Sequence, residues 1–70
     1  MRVVEVSPER QIHVQVKSYR GRVILDIRTY ITTAKFEGYT KRGVSVPFEF
    51  ASDIAEAIMD ELETAEEVEV

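Results

Sequence analysis

Cationic and aromatic side chains interleave along a short stretch of the sequence, at Lys17, Tyr19, Arg20, Arg22, Arg28 and Tyr30. Cations can bind the phosphates of a nucleic acid, and aromatic rings can stack on bases that have no partner strand. This stacking has little base preference, because every base has a π-face. The stretch is therefore a candidate site for single-stranded nucleic acid, and on residue types alone an ordinary solvated hairpin explains it equally well.

The charges of the chain are divided into two blocks. All nine basic residues precede Pro47, and four acidic residues accompany them, so residues 1–46 carry a formal charge of +5. From Pro47 onward there are nine acidic residues and no basic one, which brings the whole chain to −4. Because the charges are segregated, an acidic protein can still offer a positive surface to a polyanion.

The sequence has few residues that could act in catalysis or bind a metal ion. The chain has no cysteine, no recognisable nucleophile motif and no glycine-rich phosphate loop. His13 is the single histidine; we interpret it as a half-exposed strand residue opposite Arg28 rather than as a zinc ligand. The acidic residues after Pro47 lack the glycine-turned loop that calcium sites use. The sequence therefore predicts no enzyme, no metal and no cofactor.

Two strands of period-two alternation must position the candidate site. Apolar residues occupy alternate positions in both: Ile12, Val14 and Val16, then Val23, Leu25 and Ile27. A turn at Arg20-Gly21 places Val16 opposite Leu25 and brings the apolar sets to one face. A two-residue turn needs a positive φ at Arg20, whereas a four-residue loop over residues 19–22 keeps the same register without it.

The flanking segments predict two more strands. Residues 2–6 form a strand that ends at Ser7-Pro8, and residues 41–46 form a short one. Between them, residues 33–40 are expected to form a loop or the twisted end of a hairpin around Gly38. Gly43 is expected to mark a bulge that turns Arg42 outward.

After Pro47 the period changes to that of an amphipathic helix. The apolar positions are Phe50, Ile54, Ala57, Ile58, Leu62 and Ala65. The opposite face carries Glu49, Asp53, Glu56, Asp60, Glu63 and Glu67. Because the last turn has no basic residue, we expect the helix to fray from about Glu66.

Seventy residues form one domain, which we place over residues 1–70 with a core of about residues 10–64. A chain this short buries little surface by itself, and without cysteines or metals the remaining source of stability is association with a second copy. It has no apolar run of about 20 residues and no secretory leader, so we expect an intracellular protein of the cytoplasm, nucleoid or nucleus and no membrane partner.

The sequence also resembles a known family. Val16 to Tyr30, with its Asp26-Ile27-Arg28-Thr29-Tyr30 motif, and the later Lys41-Arg42-Gly43-Val44-Ser45-Val46 motif resemble the C-terminal domain of the transcriptional coactivator positive cofactor 4. The resemblance covers about residues 10–62. It implies an α+β fold, in which a curved four-stranded antiparallel β-sheet precedes one C-terminal α-helix and two chains form a homodimer. It also implies sequence-nonspecific binding of single-stranded DNA, or of the separated strands of melted duplex, in transcription, replication or repair; whether RNA binds as well is left open.

The same resemblance implies individual site residues. Tyr19 matches the stacking aromatic of the hairpin tip. The family's basic positions fall on Arg10, Lys17, Arg20, Arg22, Arg28, Lys41 and Arg42. Ile31 stands where the family usually has a tryptophan, so Phe36 or Tyr39 is expected to supply the missing aromatic surface.

A second hypothesis concerns the acidic helix. A protein-interaction module could dock basic partners, such as components of the transcription machinery, on the all-acidic segment after Pro47 while the sheet only dimerises. The two hypotheses are compatible, because an acidic helix repels nucleic acid and leaves the sheet as the attractive side.

Overall fold

The computed structural model describes residues 1–65, which form a four-stranded antiparallel sheet followed by one helix. The strands are β1 (Arg2–Ser7), β2 (Arg10–Tyr19), β3 (Arg22–Thr32) and β4 (Glu37–Pro47), and they lie in the sheet in chain order. A single 3₁₀ turn, Phe48–Phe50, joins β4 to the helix α1 (Ala51–Ala65). The predicted α+β class, with four strands and one helix, is confirmed. Within residues 1–65 no helix combines the length and apolarity needed to cross a bilayer.

The first hairpin has the register that its alternation predicts. Val16 lies opposite Leu25, and His13 lies opposite Arg28. The connection is a two-residue turn in which both Arg20 and Gly21 have positive φ, 51° and 77°. These signs define the type I′ geometry that suits the twist of a hairpin. Of the two expected connections, the two-residue turn is the one observed, and Arg20 has the positive φ that this turn requires.

The alternation gives the sheet two faces of different character. The polar face carries Gln11, His13, Gln15, Lys17, Tyr19, Arg22, Ile24, Asp26, Arg28, Tyr30, Tyr39 and Ser45. The apolar face carries Ile12, Val14, Val16, Val23, Leu25, Ile27, Thr29, Ile31, Val44 and Val46. The cation and aromatic cluster and the apolar set are thus on opposite sides of one sheet.

The fourth strand begins earlier than the sequence indicated. The expected loop over residues 33–40 is reduced to residues 33–36, where the Thr33 amide donates to the Phe36 carbonyl over 2.8 Å. β4 starts at Glu37 because Tyr39 pairs with Tyr30 across the ladder. The ladder is then interrupted, since Arg28 pairs with Gly43 while Tyr30 pairs with Tyr39, so the expected bulge lies just before Gly43.

The helix and the apolar face remain largely uncovered. α1 buries none of its residues against the sheet, and Val46 is the sole apolar residue classed as buried in the described chain. The accessible surface is 6064 Å², whereas a compact monomer of this mass exposes about 4,450 Å². The predicted fraying from about Glu66 falls outside the described residues.

Candidate nucleic-acid interface

Asp26 is the centre of a charged network on the polar face. Its side chain is almost fully buried, with 2% of the residue exposed. Oδ1 accepts hydrogen bonds from Arg28 Nη2 at 2.9 Å and from the Ser45 hydroxyl at 2.8 Å. Lys17 Nζ lies 3.7 Å from Oδ2. Both ion pairs found within residues 1–65 therefore converge on this one carboxylate.

The charge of Asp26 is stabilised by these partners. The hydrogen bond from Arg28 is the largest influence and lowers the pKa of Asp26 below its ordinary value of 3.8. The Ser45 hydroxyl and the positive charges of Arg28 and Lys17 lower the pKa further, while burial opposes them. Asp26 is consequently ionised at neutral pH, and it keeps two cations in place on the polar face.

Arg28 is also held by the backbone of β4. Its Nη1 donates to the Lys41 carbonyl over 3.0 Å, and its side chain crosses Gly43, its partner in the ladder. A β-carbon at Gly43 would stand 2.9 Å from Arg28 Cα and 3.0 Å from Arg28 Nε. The glycine is therefore required for this close approach rather than for a turn.

Tyr19 and Arg20 form the tip of the hairpin. The Arg20 guanidinium lies 5.3 Å from the centroid of the Tyr19 ring, within range of a cation–π interaction. Arg22 is paired with Tyr19 across the turn. The predicted clustering of Tyr19, Arg20 and Arg22 at the hairpin tip is therefore observed, with the Tyr19 ring exposed.

An aromatic cluster occupies the other end of the polar face. His13 stacks on Tyr30 with ring centroids 4.7 Å apart and planes inclined by 14°. Tyr39 is nearly perpendicular to both rings, at 5.2 Å from His13 and 5.0 Å from Tyr30. The expectation that His13 is half-exposed is wrong: 6% of the residue is exposed, because the two tyrosines cover its ring.

One cleft on the polar face connects these features. It is lined by Gln15, Lys17, Tyr19, Ile24, Asp26, Arg28, Tyr39, Thr40 and Ser45. The β3 partners of Tyr19 and Tyr39 are Arg22 and Tyr30, eight positions apart, which is about 26 Å along a strand. The cleft is thus elongated, with cations between two exposed tyrosines.

The other predicted site residues lie elsewhere. Arg10 and Arg42 line a small cleft with Thr29, Thr40 and Ile31, so the bulge does not turn Arg42 to the polar face. Phe36 is exposed in the turn that precedes β4. Lys41 is exposed, and its carbonyl oxygen rather than its ammonium contacts the network.

Sequence reasoning missed the residues that support the site. In the sequence, Asp26 and Ser45 stand out only as members of the two family motifs, and Gln11 does not stand out at all. The shared parity of Asp26 and Arg28 on one strand was the available signal, since residues two apart on a strand share a face. No comparable signal linked His13 to Tyr39, because the bulge sets which β4 residue reaches it.

Neither a scan against protein-family models nor a search of the curated proteins finds a match to this chain. Among solved structures, it is similar to a PC4 (positive cofactor 4) homolog from Burkholderia pseudomallei. The TM-score is 0.76 at 22% sequence identity, over 84% of this chain and 81% of the other. The resemblance predicted from the two motifs is therefore confirmed as a shared fold: the chain has the fold of a PC4 homolog.

Proposed function

We propose that this protein is a homodimer that binds single-stranded DNA, without base specificity, along the polar face of its sheet. The observation that carries the proposal is the elongated cleft, where Lys17 and Arg28 lie between the exposed rings of Tyr19 and Tyr39. Cations along a groove with aromatic stacking surfaces are the usual means of binding single strands regardless of sequence. Arg20 and Arg22 extend the positive surface at the hairpin tip.

The division of charge favours a polyanion on this face rather than on the helix. α1 carries acidic residues and no basic one, so it repels phosphate. Arg10, Lys41 and Arg42 lie outside the cleft and serve in this proposal as flanking contacts. The binding proposal extends to RNA and to melted duplex, and the process served is transcription, replication or repair.

The uncovered apolar surface supports the dimer. The chain exposes more than about 1,000 Å² beyond a compact monomer of its mass. Its exposed apolar side chains include Val16, Val23 and Val44 on the apolar face and Ile58 and Leu62 on α1. Obligate homodimers bury about 2,000–5,000 Å² in total, through interfaces that resemble a core cut in half. A second copy of the chain has the same exposed apolar groups, so two copies could bury an area of this size against each other.

Titration of a fluorescent single-stranded oligonucleotide at several salt concentrations tests the binding. We expect log affinity to fall linearly with log salt, by about 0.7 for each neutralised phosphate. Replacing Tyr19 with alanine should cost about 1–3 kcal/mol, the value of one stacked base. A matched duplex should bind less tightly.

Two charge-equivalent variants provide the control. Lys17→Gln, in the cleft, should reduce the salt slope by about 0.7, whereas Lys35→Gln, in the turn before β4, removes the same charge away from the cleft and should leave the slope nearly unchanged. A flat salt dependence of the wild type, or equal effects of the two variants, would count against the proposed surface.

The exposed acidic side of α1 favours a second candidate role, the docking of a basic protein partner. Charge reversal at Glu56 and Asp60 discriminates between the two roles. Loss of a protein partner with intact single-strand binding would assign partner docking to α1. Loss of DNA binding with either reversal would instead place the helix in the nucleic-acid interface.

A further inference from the structure

We infer that Tyr39 is a base-stacking subsite of the polar face and that His13 is the positioning residue that fixes its ring. This inference rests on the proposed single-strand binding and specifies which side chains carry its base-dependent part. It selects Tyr39, rather than Phe36, as the second aromatic surface.

Hydrogen bonds define the orientation of the Tyr39 ring. His13 Nδ1 lies 2.9 Å from the Tyr39 hydroxyl, and His13 Nε2 lies 2.8 Å from Gln11 Oε1. Gln11 Oε1 only accepts, so His13 Nε2 donates to it. The Gln11, His13 and Tyr39 side chains thus form one hydrogen-bonded chain.

Ring packing fixes the same side chain from a second direction. Tyr39 lies across both members of the His13 and Tyr30 stack, at 88° and 74° to their planes. Edge-to-face contacts of this kind are a preferred and stabilising geometry for aromatic rings. The supporting histidine is 6% exposed, whereas Tyr39 itself is 48% exposed. The Tyr39 ring is therefore exposed to solvent, while the His13 side chain that holds it is buried.

Such a ring is suited to stacking because little freedom remains to be lost on binding. It also lines the same cleft as Lys17 and Arg28, where the cations can hold the phosphates that flank a stacked base. Phe36 is equally exposed, at 51%, but it lies in the turn before β4, outside this cleft. Within residues 1–65, aromatic rings pack on one another at His13, Tyr30 and Tyr39 and not at Phe36.

The test compares two oligonucleotides of equal length at one salt concentration, one with bases and one with an abasic sugar–phosphate backbone. Their affinity ratio measures the base-dependent part of binding. Tyr39→Leu should lower this ratio by about 5-fold or more while leaving affinity for the abasic strand unchanged. Phe36→Leu, the matched control, should leave both affinities unchanged.

Two milder variants test the role of His13 without removing a ring. Tyr39→Phe and His13→Phe each break the hydrogen bond to Nδ1, so each should lower the ratio less than Tyr39→Leu does. The double variant should lower it no further than either single variant, because both remove one shared interaction. Additive effects in this cycle would overturn the positioning role.

The other outcomes distinguish failure of the stacking subsite from failure of the proposed function. An unchanged ratio in Tyr39→Leu, or an equal loss for both strands, overturns the stacking subsite while the proposed function stands. If Phe36→Leu lowers the ratio and Tyr39→Leu does not, the stacking subsite lies in the turn before β4, and the inference about Tyr39 is overturned. Failure of the wild type to bind either strand overturns the proposed function itself, and the inference with it.

Discussion

Asp26 and Arg28 lie two residues apart on one face of β3, and Arg28 Nη2 donates to Asp26 Oδ1 over 2.9 Å. The carboxylate orients the guanidinium and offsets one of the two positive charges beside it, the other being Lys17. The carboxylate therefore lowers the net positive charge of the network, and in return it fixes the positions of the cationic groups. Fixed donors at the middle of the cleft reduce the entropy lost when a phosphate binds.

Replacing Asp26 with asparagine should lower the free energy of unfolding by about 1.5–3 kcal/mol at neutral pH, the usual value of a hydrogen bond to a charged group. The pKa of Asp26 is lowered in the folded state, so the unfolded chain binds more protons at acidic pH. The stabilisation is fully present above the unfolded pKa of about 4 and is lost as pH falls through the lowered folded pKa. Urea unfolding of both proteins along a pH series measures this, and a difference that stays constant into strong acid would contradict it.

Replacing Arg20 with asparagine should separate stability from binding. Asparagine tolerates the φ of 51° better than arginine does, so the hairpin should be stabilised by up to about 1 kcal/mol. The variant also loses the cation over Tyr19, so its affinity for a single-stranded oligonucleotide should fall. Arg22→Asn removes the same charge from a strand position and should weaken binding without the stabilisation. Destabilisation by the Arg20 change would refute the account of the turn.

Replacing Gly43 with alanine should destabilise the sheet by about 1–3 kcal/mol, as overpacking does. The added methyl group would press on the backbone of Arg28 and on the Ile27 carbonyl, which cannot move freely. Gly38→Ala is the control, because Gly38 has nearly the same φ, 154° against 159°, and its added carbon would meet only the Phe36 ring, at 3.4 Å. Thermal unfolding of the two variants should therefore differ, and equal losses would assign the cost to φ alone.

The proposed dimer predicts a melting temperature that rises with protein concentration, because association stabilises only the folded chain. Ile58→Gln, on the uncovered apolar side of α1, should lower the melting temperature and shift the protein toward monomer in sedimentation. Glu56→Gln introduces the same residue on the acidic side and should change neither. A melting temperature that is constant over about a hundredfold range of concentration would contradict the obligate dimer.

The parts of the fold that sequence reasoning recovered depend on local patterns. Strict alternation placed Val16 opposite Leu25, because any one-residue slip would have exposed one apolar set. The spacing after Pro47 predicted the helix, although nothing in it indicated that the helix would leave the sheet uncovered. The start of β4 was missed, since Gly38 is a turn signal and the Tyr30–Tyr39 pairing that overrides it joins residues nine positions apart, beyond the reach of a local pattern.

The candidate site divides in the same way. Lys17, Tyr19 and Arg28 could be grouped from their parity on one hairpin, and the structure places them in one cleft. The burial of His13 could not be predicted, because the hydroxyl that reaches it comes from a residue 26 positions away. The bulge before Gly43 determines that Tyr39 is the β4 residue that reaches His13. The number of residues that the bulge inserts cannot be predicted from the alternation of apolar and polar residues.

The chain-order arrangement of the strands also bears on how the protein folds. Each strand pairs with its neighbour in sequence, so each pairing begins from the closure of a short loop. The uncovered apolar surface can be buried only by a bimolecular encounter in the proposed dimer. Refolding should consequently show a first-order phase that is independent of concentration, followed by a second-order phase whose rate sets how long the aggregation-prone surface stays exposed.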